Sequence, residues 1–205
     1  MTTEISMKRL FGTVAAFLLS SAMGLAIAQA TPDALVKSTV DDVLDVMKRT
    51  KDKGSLRKLA EEKVLPRFDF KEMTRLAVGP GWKEATPEQQ QVLEKEFRSV
   101  LVNTYTAALS ATGTGNATVE VRPVQPPANQ NDVTVKTLIK QSGKQPVAVD
   151  YRMSHTSGNW KVNDVVVENL SLVTTYRGTF SETVRTSGID GLIKTLQEKN
   201  RNIGT

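Results

Sequence analysis

Between Gly158 and Leu196 the apolar residues change their spacing, and this limits the folds open to the chain more than any other feature. Trp160, Val162 and Val166 stand two or four residues apart, the alternation of a strand. From Leu172 the interval becomes four, and Leu172, Tyr176, Phe180 and Val184 mark one face of an α-helix. A strand that runs almost directly into an amphipathic helix, with large side chains on both, builds two walls of one apolar space.

The chain before this junction divides into a helical part and a stranded part. Thr31 is placed to cap a first helix, with Pro32 at its first position and Leu35, Val36, Val40, Val43, Leu44 and Met47 as its apolar stripe. Ser55 is expected to cap a short helix carrying Leu56, Leu59 and Val64, which ends at Pro66. Asp69 and Glu72 form a capping-box pattern before Met73, Leu76 and Ala77, and Gly79-Pro80-Gly81 breaks that helix. A second box, Thr86 with Gln89, opens the longest helix, which is expected to reach about Ser110.

Beyond Gly113 and Gly115 the period falls to two. Val119 and Val121 form a strand that stops before the loop Pro123 to Pro127. Val133, Val135, Thr137 and Ile139 share a face of the next strand, and Val147, Val149, Tyr151 and Met153 alternate in a third after a turn at Gly143. Four strands with short connections predict an antiparallel, twisted sheet, and helices on either side in sequence give an α+β fold. The expected architecture is that sheet curved around helices, as in nuclear-transport-factor-like folds, with a helical lobe.

At the N-terminus, Lys8 and Arg9 precede the apolar run LFGTVAAFLLSSAMGLAIA. Ala26-Ile27-Ala28 and Ala28-Gln29-Ala30 follow as overlapping small-x-small cleavage signals. Residues 1–28 therefore read as a signal peptide, with an uncleaved membrane anchor as the alternative because the run approaches spanning length, and 29–205 as a single exported domain. Its helical part is expected over 31–111, its sheet over 117–168 and its C-terminal helices over 171–199. The chain has no cysteine, which excludes disulfides, a lipid-anchored lipoprotein and thiol chemistry. Its formal net charge of +5 is spread among interspersed acids and bases, not gathered into the basic stripe of a nucleic-acid platform.

Acid/base chemistry has few candidates. Alternation turns Asp150 and Arg152 away from the face of Val149, Tyr151 and Met153. His155, the sole histidine, falls at a hairpin as a solvated loop residue. Asp164 and Glu168 share parity with Trp160, Val162 and Val166 and stay candidates, with sheet-end salt bridges or helix-start hydrogen bonds as the structural alternative. No catalytic residue is assigned. One histidine and no cysteine make no converging metal set. Gly79-Pro80-Gly81 lacks the strand and the lysine of a phosphate loop.

The order of residues at the strand–helix junction resembles the MlaC-type (toluene-tolerance) family of periplasmic phospholipid-binding proteins. That family ends close to W-K-V-x-D-V-x-V-E-G-V-S-L-V-x-x-Y-R-x-x-F. Trp160, Lys161, Val162, Asp164, Val165, Val167, Glu168, Ser171, Leu172, Val173, Tyr176, Arg177 and Phe180 match, with Asn169 in place of the usual glycine. Phe68-Asp69-Phe70, Gly79 to Trp82 and Ala85 to Gln89 stand where the family carries similar segments, so the likeness runs from about Asp33 to Leu196.

By themselves the apolar stripes fit an ordinary solid core. The resemblance implies instead an apolar pocket for phospholipid acyl chains with the head group near solvent. Its implied lipid-binding residues are Phe97, Leu101, Tyr105, Val133, Val135, Val149, Tyr151, Met153, Val162, Val166, Leu172, Tyr176 and Phe180. Arg177 is a candidate for the mouth, with a surface salt bridge as the alternative. The resemblance further implies a monomeric periplasmic shuttle with no cofactor and no nucleic-acid partner. It would exchange lipid with an inner-membrane ABC transporter complex and an outer-membrane lipoprotein–porin complex. An exported enzyme on a similar fold and a periplasmic chaperone for lipidated proteins are the competing readings.

Overall fold

Capping residues set where the elements begin. In the computed structural model, which describes residues 30–49, 52–112, 117–126 and 129–203, helix α1 (Pro32–Arg49) starts with Leu35 N–H donating to the Thr31 carbonyl. The signal-peptide assignment lies outside the described residues. Helix α2 (Lys53–Leu59) is capped by Asp52, not by Ser55 as expected. The Asp52 carboxylate accepts from the Ser55 backbone N–H at 2.7 Å and from its hydroxyl at 2.9 Å, so the serine supports the cap from inside the first turn. After Leu59 the chain widens into a π turn (Ala60–Val64), then tightens into a 3-10 turn (Leu65–Arg67) that contains Pro66.

The two capping boxes differ. Thr86 and Gln89 exchange both bonds, at 2.9 and 3.2 Å, and open α4 (Pro87–Thr112). Before α3 (Phe70–Val78), Asp69 accepts from Glu72 N–H at 2.9 Å, but the Glu72 carboxylate holds Arg75 instead. The Asp69 N–H donates to the Val162 carbonyl at 2.8 Å, tying this helix start to the sheet.

The sheet is an antiparallel meander in the order β1 (Thr118–Val121), β2 (Asp132–Lys140), β3 (Val147–Thr156), β4 (Asn159–Val167), β5 (Leu170–Ser171). The fifth strand is an addition to the four expected. Glu168 and Asn169 take φ of 48° and 67°, which folds the chain back on itself in two residues and pairs Val167 with Leu170. Asn169 thus does adopt the left-handed backbone that the family's glycine would supply. His155 belongs to β3 itself, half-buried, with its ring 5.1 Å from Trp160, and is not a loop residue.

A bulge in β4 changes the expected alternation. Arg152 pairs with Asp164 but Met153 pairs with Val162, so Asn163 is an extra residue. Val165 therefore joins Val162 on the face of Tyr151 and Met153, while Asp164 and Val166 go to the other face with Arg152 and Asp150. The parity that grouped Asp164 and Val166 with Val162 does not survive this one-residue insertion.

Two cores follow. Helices α3, α4 and α5 (Leu172–Ile203) enclose Met73, Ala77, Val78, Leu93, Phe97, Val100, Phe180, Leu192 and Leu196. Helix α5 breaks at Gly188, where φ of 68° interrupts the ladder and re-aims Ile189, Leu192 and Leu196 at this core. The second core lies between α1 and the inner face of the sheet, where Leu35 and Val36 meet Val135, Met153 and Val162.

Candidate functional site

The second core is incomplete. Val40, Val43 and Leu44 of α1 point inward yet remain half-buried, because two cavities adjoin them. One, of about 220 Å³, lies between α1 and the sheet; Val36, Val40, Leu44, Tyr151, Met153 and Val162 are among its walls. The other, of about 170 Å³, lies among α1, α2, the π turn, α3, α4 and the start of α5, against Leu56, Leu59, Phe70, Leu101, Tyr105 and Leu172. Val43, Met47, Val64 and Phe68 line both, so the cavities share a wall.

Their surfaces are almost wholly hydrocarbon. The larger cavity meets polar side chains only at Thr39, Arg67 and the Tyr151 phenol among the described residues, and the smaller only at the Tyr105 phenol. Water needs two to four polar partners to be held in such a space, and the smaller cavity offers one, while the polar groups of the larger are few against its apolar wall. A dry cavity costs roughly 24 cal/mol per Å³, which gives ~5 kcal/mol for the larger and ~4 kcal/mol for the smaller. Together these approach the entire stability of a typical domain, about 5–15 kcal/mol. Left dry and unrelaxed, the two spaces would therefore take up much of the fold's stability.

Tyr151 reports on the polarity of the larger cavity. Burial pushes its phenol up to about 12, and its hydroxyl makes no hydrogen bond among the described residues. Tyr105 stands at the outer end of the smaller cavity, 37% exposed, and its phenol is raised by burial and then by neighbouring Tyr176.

The expected lipid-binding residues separate into four groups. Leu101, Tyr105 and Leu172 line the smaller cavity, and Tyr151, Met153 and Val162 the larger. Val133 and Val135 pack in the core beside the larger cavity, and Val149 is buried where β2, β3 and β4 pair, none of them on a cavity wall. Phe97, Tyr176 and Phe180 close on one another as an aromatic trio, with centroids 4.9 to 5.4 Å apart, inside the solid helical core. Val166 lies on the opposite face of the sheet, moved there by the bulge. Arg177 donates from Nε to the Leu76 carbonyl at 2.8 Å and lines neither cavity.

Sequence reasoning missed several wall residues. Val43, Met47, Leu56, Leu59 and Val64 were legible only as helix stripes, Phe68 only as part of the Phe68-Asp69-Phe70 segment, and Arg67 carried no signal. One clue was available: the three methionines of the described residues, Met47, Met73 and Met153, all line a cavity. Flexible thioethers suit a wall that must adapt to its contents.

The acids have structural employment. Asp164, buried on the outer face, accepts from Ser171 Oγ at 2.6 Å and from the Val173 N–H at 3.2 Å, and pairs with Arg152 at 3.1 Å, fixing the start of α5. Glu168 accepts from the Ala148 N–H across the sheet end. Neither lines a cavity. No group of three or more His, Cys, Asp or Glu that could hold a metal occurs among the described residues.

The MlaC protein family matches residues 37–198. The chain is 24% identical over 204 residues to the intermembrane phospholipid transport system binding protein MlaC of Haemophilus influenzae, covering 95% of this chain and 94% of that one. It is 25% identical over 188 residues to the toluene tolerance protein ttg2D of Pseudomonas putida, covering 87% and 84%. Its structure superposes, with a TM-score of 0.78 and 36% identity, on the phospholipid-binding protein from Ralstonia solanacearum solved in complex with a phospholipid. That alignment covers 86% of this chain and all of the other.

Proposed function

Because this chain belongs to the MlaC family, we propose that it is a phospholipid carrier whose two adjoining cavities each receive acyl chain. The observation that carries this reading is the shared wall of Val43, Met47, Val64 and Phe68, which lets the two chains of one lipid lie on either side of a single partition. Two acyl chains contain roughly 30 methylene groups, and at about 0.8 kcal/mol each their exposure to water costs on the order of 25 kcal/mol. A lipid does not cross an aqueous space at that cost, whereas a protein that supplies an apolar phase can take it across. The carrier works by partition, with no bond made or broken. The engagement of Asp164 and Glu168 in helix-start and sheet-end hydrogen bonds supports this, since it leaves neither at a cavity wall.

The carrier acts in the periplasm after removal of its leader. It takes lipid from, or gives it to, an ATP-driven transporter in the inner membrane and a lipoprotein–porin complex in the outer membrane. No helix among the described residues is long and apolar enough to cross a membrane, which accords with a shuttle. Lipid extraction of protein purified from the periplasm, followed by mass spectrometry, tests the reading. Free diacyl phospholipid near one per chain is the expected result. Acyl groups borne on a co-purified lipoprotein would favour the chaperone, and protein free of lipid would remove the carrier reading.

A further inference from the structure

Every other arginine among the described residues has its charge engaged. Arg49, Arg57, Arg75, Arg152, Arg185 and Arg201 pair with acids, and Arg177 meets a carbonyl. Arg98 lies over the Phe70 ring, and Arg122 acts on Glu120. Arg67 makes no ion pair, hydrogen bond or ring contact among the described residues, yet it lines the larger cavity, where it is the only charged side chain.

Its backbone, by contrast, is held firmly. Lys161 Nζ donates to the Pro66 carbonyl at 2.6 Å, Phe68 bridges to Val162, and Asp69 N–H donates to the Val162 carbonyl. The 3-10 turn is thereby fastened to β4, with Arg67 at its last position. The next residue, Phe68, is part of the wall shared by both cavities. A diacyl lipid with one chain on each side of that wall has its glycerol at the wall's rim, and its phosphate within reach of the adjacent side chain. Arg67 is exposed, on the side where a lipid head group would also stand, and no acid among the cavity-lining residues competes for it.

We propose that Arg67 is the contact for the lipid phosphodiester, so that this chain selects phospholipids over neutral diacylglycerols carrying the same acyl chains. The proposal rests on the reading of the cavities as acyl sites. Chain burial is identical for the two lipids, and the difference between them is a charge-assisted, forked hydrogen bond. Such a bond at a partly exposed position is worth about a tenfold preference, which falls as salt screens it.

The test is a competition. Delipidated full-length exported protein is incubated with an equimolar mixture of palmitoyl-oleoyl phosphatidylglycerol and palmitoyl-oleoyl glycerol in detergent micelles, and bound lipid is quantified by mass spectrometry. Wild type should be enriched about tenfold in the phospholipid, less so at high salt. Arg67→Gln should bind both lipids at a ratio near one, and Arg67→Lys should keep part of the preference. Because the side chain is exposed, both variants should melt with the wild type. An Arg67→Gln variant that keeps the wild-type ratio overturns the assignment of Arg67 while leaving the acyl sites standing. A wild type that takes up neither lipid removes both.

Discussion

The helical core and the core under α1 are built from the same residue types, and only one of them is filled. In the first, Leu93, Phe97 and Val100 of α4 interlock with Phe180, Leu192 and Leu196 of α5, and all six are at most 3% exposed. In the second, Val40, Val43 and Leu44 face inward with the same helical period but stay half-buried against empty space. Apolar periodicity therefore identifies which face of an element turns inward. Whether that face meets a neighbour or a ligand depends on the separation of the elements, set here by the turns around Pro66 and by the pairing of Asp69 with β4. In the solid half the rings of Phe97, Tyr176 and Phe180 close on one another, whereas Phe70, Tyr105 and Tyr151 stand on cavity walls among aliphatic and thioether side chains.

Emptying the hollow half should give the largest effect. The two cavities together carry a cost on the order of 9 kcal/mol if they stay dry and unrelaxed. Partial collapse should reduce this, so delipidated protein should lose several kcal/mol of stability. Calorimetry should find its melting temperature lower by on the order of 10 °C, restored by phospholipid. A melting temperature indifferent to lipid would place both halves in the same solid class.

Next in size is a pair of substitutions whose effects should separate. Phe97→Ala removes a ring from the solid trio and should cost about 3–5 kcal/mol, while folded protein still retains lipid. Tyr151→Asp places an unpaired charge on the cavity wall and should abolish lipid retention. Unfolding by denaturant and lipid content measured on the same samples read both. A Phe97→Ala variant that stays folded but loses lipid would erase the distinction between the regions.

A filling substitution is more modest. Val40→Phe adds volume to the larger cavity and should leave the delipidated protein equally stable or stabilise it by about 1 kcal/mol, while weakening lipid binding at least several-fold. The same change at Val100, which is fully buried in the solid core, should destabilise by about 1–3 kcal/mol through overpacking. Thermal melts of the two variants without lipid make the comparison.

The smallest effect concerns pH. The Tyr151 phenol titrates near 10 when unfolded and at about 12 in the fold, so the folded state disfavours the phenolate. Its stabilising contribution is present below pH 10 and is lost as the pH rises towards 12, by up to about 3 kcal/mol. Tyr151→Phe should show a shallower fall over that window than wild type, and identical slopes would put Tyr151 in contact with water.

Much of the fold was legible because local chemistry dictates it. Thr86 with Gln89 specified a helix start, Gly143 specified a turn, and period-two apolar residues specified four strands. The fifth strand was hidden because two residues carry no period. The site was legible only in part. Strand parity put Tyr151, Met153 and Val162 on an inward face, the family resemblance alone made that face a lipid site, and the bulge at Asn163 moved Val166 to the other face, an insertion that alternation does not announce. Tyr176 and Phe180 share the stripe of Leu172 on α5, but α4 brings Phe97 close enough there for the rings to close on one another. Arg67 was silent because a single cation beside a proline reads as surface until the neighbouring cavity is known.

Methyl NMR tests the central claim most directly, because its probes fall on both sides of the comparison. Met47, Met73 and Met153 are cavity-lining residues, Met73 where the smaller cavity borders the helical core, and Leu93, Leu192 and Leu196 lie in the solid core. In protein loaded with phospholipid, acyl-chain protons should give nuclear Overhauser effects to all three methionines and none to the three leucines. Effects at the leucines with none at the methionines would contradict the account.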